Sequence, residues 1–228
     1  SVAKIFRKLN PNENLFTLTE LPKRFGIIGA GPIGAEMAQS FARFGSDVTL
    51  VTSNRGLMPK EDRDGAAIVQ KSMERDGVRF VEGSRDVVLT TNDGGAIRMK
   101  YDHPEKGYDL TVDKLLIAVG RAPNVEGLGL DDVGVDYSAN GVKINDKFQT
   151  TNPKIFAAGD ICSPYQFTHA ADFMARSVIR NSLFMGRAKH SSLIIPWATY
   201  TSPELAHVGV TKESAKEKGI EIDTFEQQ

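Results

Sequence analysis

The stretch "RFGIIGAGPIGAEMAQSFARFG", Arg24 to Gly45, decides how the rest of the chain is read. Phe25 to Ile28 is a short apolar run, continuous rather than alternating, as in a strand covered on both faces. Three glycines follow in a G-x-G-x-x-G pattern: Gly29, Gly31 and Gly34. Pro32 stands where a first helical residue belongs, and Gly45 where a helix stops. Between them Ile33, Met37, Phe41 and Phe44 recur at helical spacing, so this face is expected to pack on a sheet.

Strand, glycine turn and helix in that order make a phosphate cradle. The first glycine permits the tight turn, the second lets a pyrophosphate approach the backbone, and the third lets the helix pack closely on the strand. The helix start at Pro32, Ile33 and Gly34 then turns free N–H groups and a positive dipole end toward the phosphates. The alternative is a structural glycine turn that holds no ligand.

Outward from this unit, Asp47 to Thr52 reads as a second, β-branched strand. A helix is expected from about Asp64 to Arg75, ended by Gly77, and "VRFV" supplies a third strand. Strand–helix alternation of this kind gives a parallel sheet with crossover helices, a Rossmann-like α/β domain. The pattern then changes. Asp86 to Thr90 and Ala96 to Tyr101 flank the turn cluster "NDGG", and "DLTV" follows, so a β-meander is inserted here. "KLLIAVG" is another buried strand, ending at Gly120. Asn124 to Gly141 is rich in Gly, Asp and Val, which predicts irregular structure and a possible domain boundary. "NPKIFAAGDIC", Asn152 to Cys162, reads as a short apolar strand running into Gly159 and Asp160. "FTHAADFMARSVIRNSLF" reads as a helix with Phe173, Val178 and Leu183 among its apolar positions. "IIPWATYTSPELAHVGVT" looks like the first strands of a further unit, followed by a short helix from Glu213 to Lys218.

Composition narrows the function classes. With 28 basic against 29 acidic residues the net charge is −1, which gives no electrostatic reason to expect nucleic acid or an anionic membrane as partner. No apolar run approaches the length that spans a bilayer. Cys162 is the single cysteine, so an internal disulfide is impossible and a reducing, cytoplasmic location is the default expectation. The opening "SVAKIFRKLN" has no apolar signal-peptide core and no initiator methionine.

Which dinucleotide binds is written at the end of the second strand, where an NAD site usually presents a carboxylate to the ribose hydroxyls. The window "TLVTSNR", Thr49 to Arg55, has none. Thr52, Ser53, Asn54 and Arg55 could instead donate to a 2′-phosphate, and NADP is therefore expected over NAD. Arg55 is equally readable as a solvated loop residue.

Four segments, "GIIGAGPIGAEMAQSFARFGSDVTLV", "LLIAVGRAPN", "TTNPKIFAAGDI" and "ATYTSPELAHVGVT", occur in order across nearly the whole chain. Together they resemble the pyridine nucleotide–disulfide oxidoreductases, the mercuric reductase and dihydrolipoamide dehydrogenase branch in particular. That resemblance implies FAD and NAD(P)H as cofactors and a homodimer built through a C-terminal interface domain. It divides the chain into an NAD(P)-binding domain (1–123), a contribution to an FAD-binding domain (124–194) and the start of an α+β interface domain (195–228). It implies that Asp160 bonds the ribityl chain of FAD while Gly159 lets the flavin pass close to the backbone. The helix starting near Thr168 and His169 would aim N–H groups at the flavin ring. Glu36 would lie near the nicotinamide–flavin contact, and Gly120 and Arg121, with Pro123, where the chain crosses between domains, within reach of nucleotide. The bland readings are a turn cap for Asp160 and a solvent-facing helical glutamate for Glu36.

The same resemblance makes certain features conspicuous. The family's C-x4-C redox pair has no counterpart, Cys162 reading as a small buried residue. The catalytic His–Glu pair is not found either: "HPEKGY" at His103 has Tyr108 where the glutamate belongs, and His190 and His207 are expected in surface or packing roles. The chain therefore reads as an internal portion of a longer FAD-dependent NAD(P)H oxidoreductase, binding dinucleotide but inactive alone. A stand-alone NAD(P)H sensor without catalysis is the rival reading.

Overall fold

The computed structural model describes residues 15–53, 55–83, 85–91, 96–102 and 107–227. The loop at His103 and the "NDGG" turn lie outside the described residues. The chain divides into two compact units, Ser1–Gly120 with Ala198–His207, and Arg121–Trp197 with Val208–Gln228.

The first unit is built on β1 (Arg24–Ile28), whose apolar run leads into α1 (Pro32–Phe44) and then β2 (Asp47–Val51). Pro32 is the first helical residue, and Gly45, at φ 104°, ends the helix in the left-handed conformation. α2 (Arg63–Arg75) starts on the Asp62 carboxylate, which accepts the N–H groups of Asp64 and Gly65 at 3.0 Å each. β3 (Arg79–Val81) follows. β4 (Arg85–Thr91), β5 (Ile97–Asp102) and β6 (Tyr108–Val112) form an antiparallel meander, and β7 (Lys114–Ile117) returns to the first sheet. That sheet is parallel, in the order β3-β2-β1-β7, with Ile28 level with Val51 on one side and Ile117 on the other.

Strand periodicity sorts the core into two layers. Phe25, Ile27, Val48, Leu50 and Leu116 pack with Ala35, Ala38, Ala66, Val69 and Met73 of the two helices. Ile28, Val51 and Ile117 point the other way, onto Leu89, Met99, Tyr101 and Val112 of the meander. The parallel sheet is thus covered on both faces, which is why β1 reads as a continuous apolar run. Each fully buried Leu, Ile or Phe contributes about 1.5–3 kcal/mol, so this double cover supplies most of the driving force for the unit.

The face of α1 that meets the sheet differs from the one its spacing suggested. Gly34, Ala35, Ala38 and Gln39 are its buried residues, Met37 and Phe41 pack partly, and Phe44 is 66% exposed. Small residues win because the helix runs so close to β1 that a large side chain has no room between them.

In the second unit, β8 (Tyr137–Ser138) and β9 (Gly141–Val142) form a small hairpin, and a 3-10 turn at Gly159–Ile161 precedes α3 (Thr168–Leu183). Val135, Val142, Phe148, Ala170, Met174, Ile195 and Ala215 are its buried apolar residues. The strand expected before Gly159 is reduced to one bridge, between Gln149 and Phe156. Ala158 keeps extended dihedrals, but a strand needs a long neighbour to bond. Among the described residues that segment meets only the short stretch from Phe148 to Thr150, through Ala157 N–H to the Phe148 carbonyl and Thr150 N–H to the Ile155 carbonyl. β10 (Trp197–Thr199) pairs with β11 (Leu205–His207), residues that from Ala198 on belong to the first unit. In the second unit α4 (Lys212–Lys218) follows, closed at its start by a Thr211–Ser214 capping box. No helix among the described residues is long and apolar enough to cross a membrane.

Candidate functional site

The β1–α1 turn sits at the carboxyl end of the parallel sheet, and its three glycines are distinguished by what surrounds them. Gly29 has φ 105°, and a Cβ there would lie 2.3 Å from the Ala118 carbonyl oxygen. A Cβ on Gly34 would lie 1.9 Å from the Gly29 carbonyl oxygen. Both positions are closed by the protein's own backbone. Gly31 is open: among the described residues nothing stands within 4 Å of where its Cβ would be. Space beside the backbone at Gly31 is thus left open by the described residues.

Donors face that room. Gly31 caps α1 without a side-chain bond, Pro32 has no N–H, and the Ala35 N–H donates to the Gly31 carbonyl at 2.9 Å. Among the described residues the N–H groups of Ile33 and Gly34 are left without a partner, an arrangement that suits an anion. No carboxylate stands in the first turn to compete.

The wall on the β2 side is made by a loop that folds back on the turn. Met58 N–H reaches the Ala30 carbonyl at 2.7 Å, and Leu57 and Met58 are buried in the helix-side core. Arg63 holds this loop in place. Its guanidinium donates to the carbonyls of Arg55 (3.3 Å), Leu57 (3.1 Å), Glu61 (2.9 and 3.1 Å) and Met58. Thr52 is turned inward, its hydroxyl donating to the Gly56 carbonyl at 3.2 Å, while exposed Ser53 accepts from Arg55 N–H at 3.4 Å. Asn54 lies outside the described residues. Of the window "TLVTSNR", Arg55 alone offers an exposed cation.

A pocket of about 230 Å³ opens here, lined among others by Arg55, Arg63, Gln70 and Glu82. Glu82, at the end of β3, accepts from Gln70 Nε2 at 3.2 Å. Glu82, one residue past β3, thus adds a carboxylate to the lining of this pocket. Sequence reading missed Arg63 and Glu82 because both act across a loop, at spacings no motif encodes.

Glu36 is half-buried and not free. Its Oε1 accepts the backbone N–H of Tyr200 at 2.9 Å, in the segment Ala198–His207 that belongs to this same unit. One helical turn on, Gln39 is 3% exposed, and its amide bonds the Ser202 peptide in both directions. Neither contact has a sequence signal, since the partners are more than 160 residues apart.

In the second unit the structure brings together Gly159, Asp160, Thr168 and His169. Gly159 has φ 79°, and a Cβ there would lie 2.9 Å from the Ala171 Cβ of α3, so glycine is required by the fold. Asp160 is exposed, and its carboxylate makes no hydrogen bond among the described residues. The cap of that turn is Ala158, without a side-chain bond, so Asp160 does not serve as the cap. Phe167 likewise caps α3 without a side-chain bond, leaving the N–H groups at Thr168 and His169 open. The His169 ring lies 2.7 Å from the Pro196 carbonyl through Nε2 and stacks on Phe167, which stacks on Trp197. Cys162 is half-buried, its thiol 3.6 Å from the Gly159 carbonyl, and burial pushes its pKa up to about 11. Gly120, at φ 126°, closes the first unit, and Arg121 opens the second, donating to the Gln166 carbonyl at 3.2 Å. No cluster of three or more His, Cys, Asp or Glu among the described residues could hold a metal ion.

Comparison with known proteins matches these two units to one family. A model described as "Pyridine nucleotide-disulphide oxidoreductase" matches residues 3–175, and the dimerisation-domain model of the same description matches 195–228. The chain is 36% identical over 206 residues to a dihydrolipoyl dehydrogenase of Bacillus subtilis, covering 90% of this chain and 44% of that protein. It is 34% identical over 212 residues to a mercuric reductase of Lysinibacillus sphaericus, covering 92% and 38%. Among solved structures, the HOCl-induced flavoprotein disulfide reductase RclA of Escherichia coli superposes with a TM-score of 0.81 at 31% identity, covering 90% of this chain and 46% of that one. The chain spans less than half the length of these relatives.

Proposed function

The chain belongs to the pyridine nucleotide–disulphide oxidoreductases, and from that premise we propose that it binds NAD(P)H on the β1–α1 turn and contributes to an FAD site at Asp160. In this reading residues 1–123 are the nicotinamide nucleotide domain, 124–194 the contribution to the flavin domain, and 195–228 the beginning of the interface through which the whole protein forms a homodimer. The observation that carries it is the contrast among the three glycines. Gly29 and Gly34 are closed by backbone, while Gly31 opens onto space faced by unpartnered N–H groups.

When bound, the nicotinamide supplies a hydride and the flavin relays the two electrons to a disulfide or metal-ion substrate. The chain's residues hold and orient. Ile33 and Gly34 donate backbone N–H groups to the pyrophosphate, and Gly31 leaves the room it needs. Arg55 pairs with a 2′-phosphate, which makes NADPH the preferred nucleotide. Glu36, fixed by Tyr200 N–H, is assigned to the nicotinamide side of the nucleotide. Asp160 accepts from ribityl hydroxyls, and the open start of α3 faces the flavin ring. With one cysteine in 228 residues the chain has no dithiol of its own, so binding without disulfide turnover is expected of it.

Calorimetric titration of the chain with NADPH, NADH and FAD is the test. Saturable binding of a nicotinamide nucleotide supports the reading, and no heat with either nucleotide removes it. Tighter NADH than NADPH would overturn the preference assigned to Arg55.

A further inference from the structure

The segment Ala198–His207 returns to the first unit after an excursion of almost eighty residues, and Gln39 is central among the side chains that bond it. Gln39 Nε2 donates to the Ser202 carbonyl at 2.9 Å while its Oε1 accepts the Ser202 N–H at 2.8 Å. A primary amide presents donor and acceptor side by side, so it pairs with a single residue's peptide groups as a neighbouring strand would. The same Nε2 donates to Asp76 Oδ2 at 2.8 Å, and Arg43 Nε holds that oxygen at 2.8 Å from the other side. Ser72 Oγ donates to the Ser202 carbonyl at 2.7 Å, so one carbonyl is gripped from both helices. Leu205 packs on the helix-side core, close against Gly65. Two residues before Ser202, the Tyr200 N–H meets Glu36.

Resting on the dinucleotide site proposed above, we infer that Gln39 is a positioning residue: by registering Ser202 on α1 it places the Tyr200 N–H that fixes the Glu36 carboxylate beside the cradle. A glutamate on a helix surface samples several rotamers. One backbone donor at a fixed place selects among them, and that donor is only as well placed as the Ser202 peptide two residues on. The β2 loop takes the adenosine side of a dinucleotide, so the half that crosses the start of α1 is the nicotinamide half. Gln39 therefore acts on the nicotinamide end and not on the adenosine end.

Gln39→Met conserves volume and removes both amide contacts, and the readout is calorimetry of the 228-residue chain with NADPH, NADH and ADP-ribose, which lacks the nicotinamide. The variant is expected to lose about tenfold in affinity for whichever nicotinamide nucleotide the wild type binds, and less than about twofold for ADP-ribose. Ser72→Ala, a milder change, is expected to show the same selectivity at about two- to threefold and covers the case in which Gln39→Met does not fold. Parallel losses for nucleotide and ADP-ribose, or no loss in either variant, overturn the inference and leave the dinucleotide site standing. A wild-type chain that binds neither nucleotide nor ADP-ribose overturns the site itself, and this inference with it.

Discussion

Gly34 and Gly29 are in backbone contact: a Cβ added to Gly34 would sit 1.9 Å from the Gly29 carbonyl oxygen. No rotamer relieves a clash between a Cβ and a main-chain oxygen, so the strand and helix must part. Gly34→Ala is expected to cost about 1–3 kcal/mol, a fall of several degrees in Tm, with nucleotide binding lost alongside stability. Thermal unfolding followed by circular dichroism checks it, and an unchanged Tm would count against the close strand–helix approach.

Gly31→Ala gives the opposite signature. Its φ of −74° suits any residue, and among the described residues nothing lies within 4 Å of the new methyl. Stability should hold to within about 0.5 kcal/mol, while nucleotide affinity falls by about tenfold or more as the methyl occupies the pyrophosphate's place. Paired Tm and calorimetry measurements separate the two glycines.

Arg55 is exposed and makes no ion pair among the described residues, so its removal should leave the fold intact. Arg55→Gln is expected to weaken NADPH by about five- to tenfold and to leave NADH within about twofold. Arg63→Met should do more, because four loop carbonyls lose their donor. Its mark would be a lower Tm together with weaker binding of both nucleotides.

Asp113 ties the first strand of the sheet to the last. It accepts Arg24 N–H at 2.8 Å and the Arg24 guanidinium at 2.5 and 3.2 Å. The Arg24 side chain and backbone bonds hold its carboxyl below the usual carboxylate range. A carboxyl more acidic in the folded state stabilises it above the unfolded pKa, and that help is lost as pH falls through the folded value. Asp113→Ala should therefore lower Tm at pH 7 by about 2–4 °C, partial exposure limiting the effect. The gap between wild type and variant should narrow below about pH 4. A gap that is constant with pH would show that the pair contributes through packing alone.

Cys162 is expected to be slow toward alkylation. With its pKa pushed up to about 11 by burial, about one thiol in a thousand is ionised at pH 8. Modification by iodoacetamide, followed by intact mass, should lag well behind free cysteine and speed up about tenfold per pH unit from 8 to 10. Rapid labelling at pH 7 would contradict the burial.

The sequence carried the first unit well because its signals are local. A glycine spacing, a proline at a helix start and apolar runs of strand length survive without knowledge of the fold. Phe44 misled, since helical spacing says which residues share a face but not how near the sheet lies. Asn152 to Ala158 misled for the opposite reason: its apolar run has strand character, but pairing depends on a neighbour the run does not encode. At the site, Gly31 and Arg55 were legible as types at expected positions. Arg63, Glu82 and Gln39 were not, since each acts through a carbonyl or carboxylate brought close only by folding.

The return of Ala198–His207 to Gln39, Ser72 and Glu36 bears on how the molecule comes into being. A chain emerging from the ribosome can close the parallel sheet once Ile117 is out, yet the buried Gln39 amide has no Ser202 to bond until some eighty further residues have been made. Until then Gln39 and Ser72, one on each helix, lack their Ser202 partner, so covering that patch calls for a long-range docking rather than local condensation.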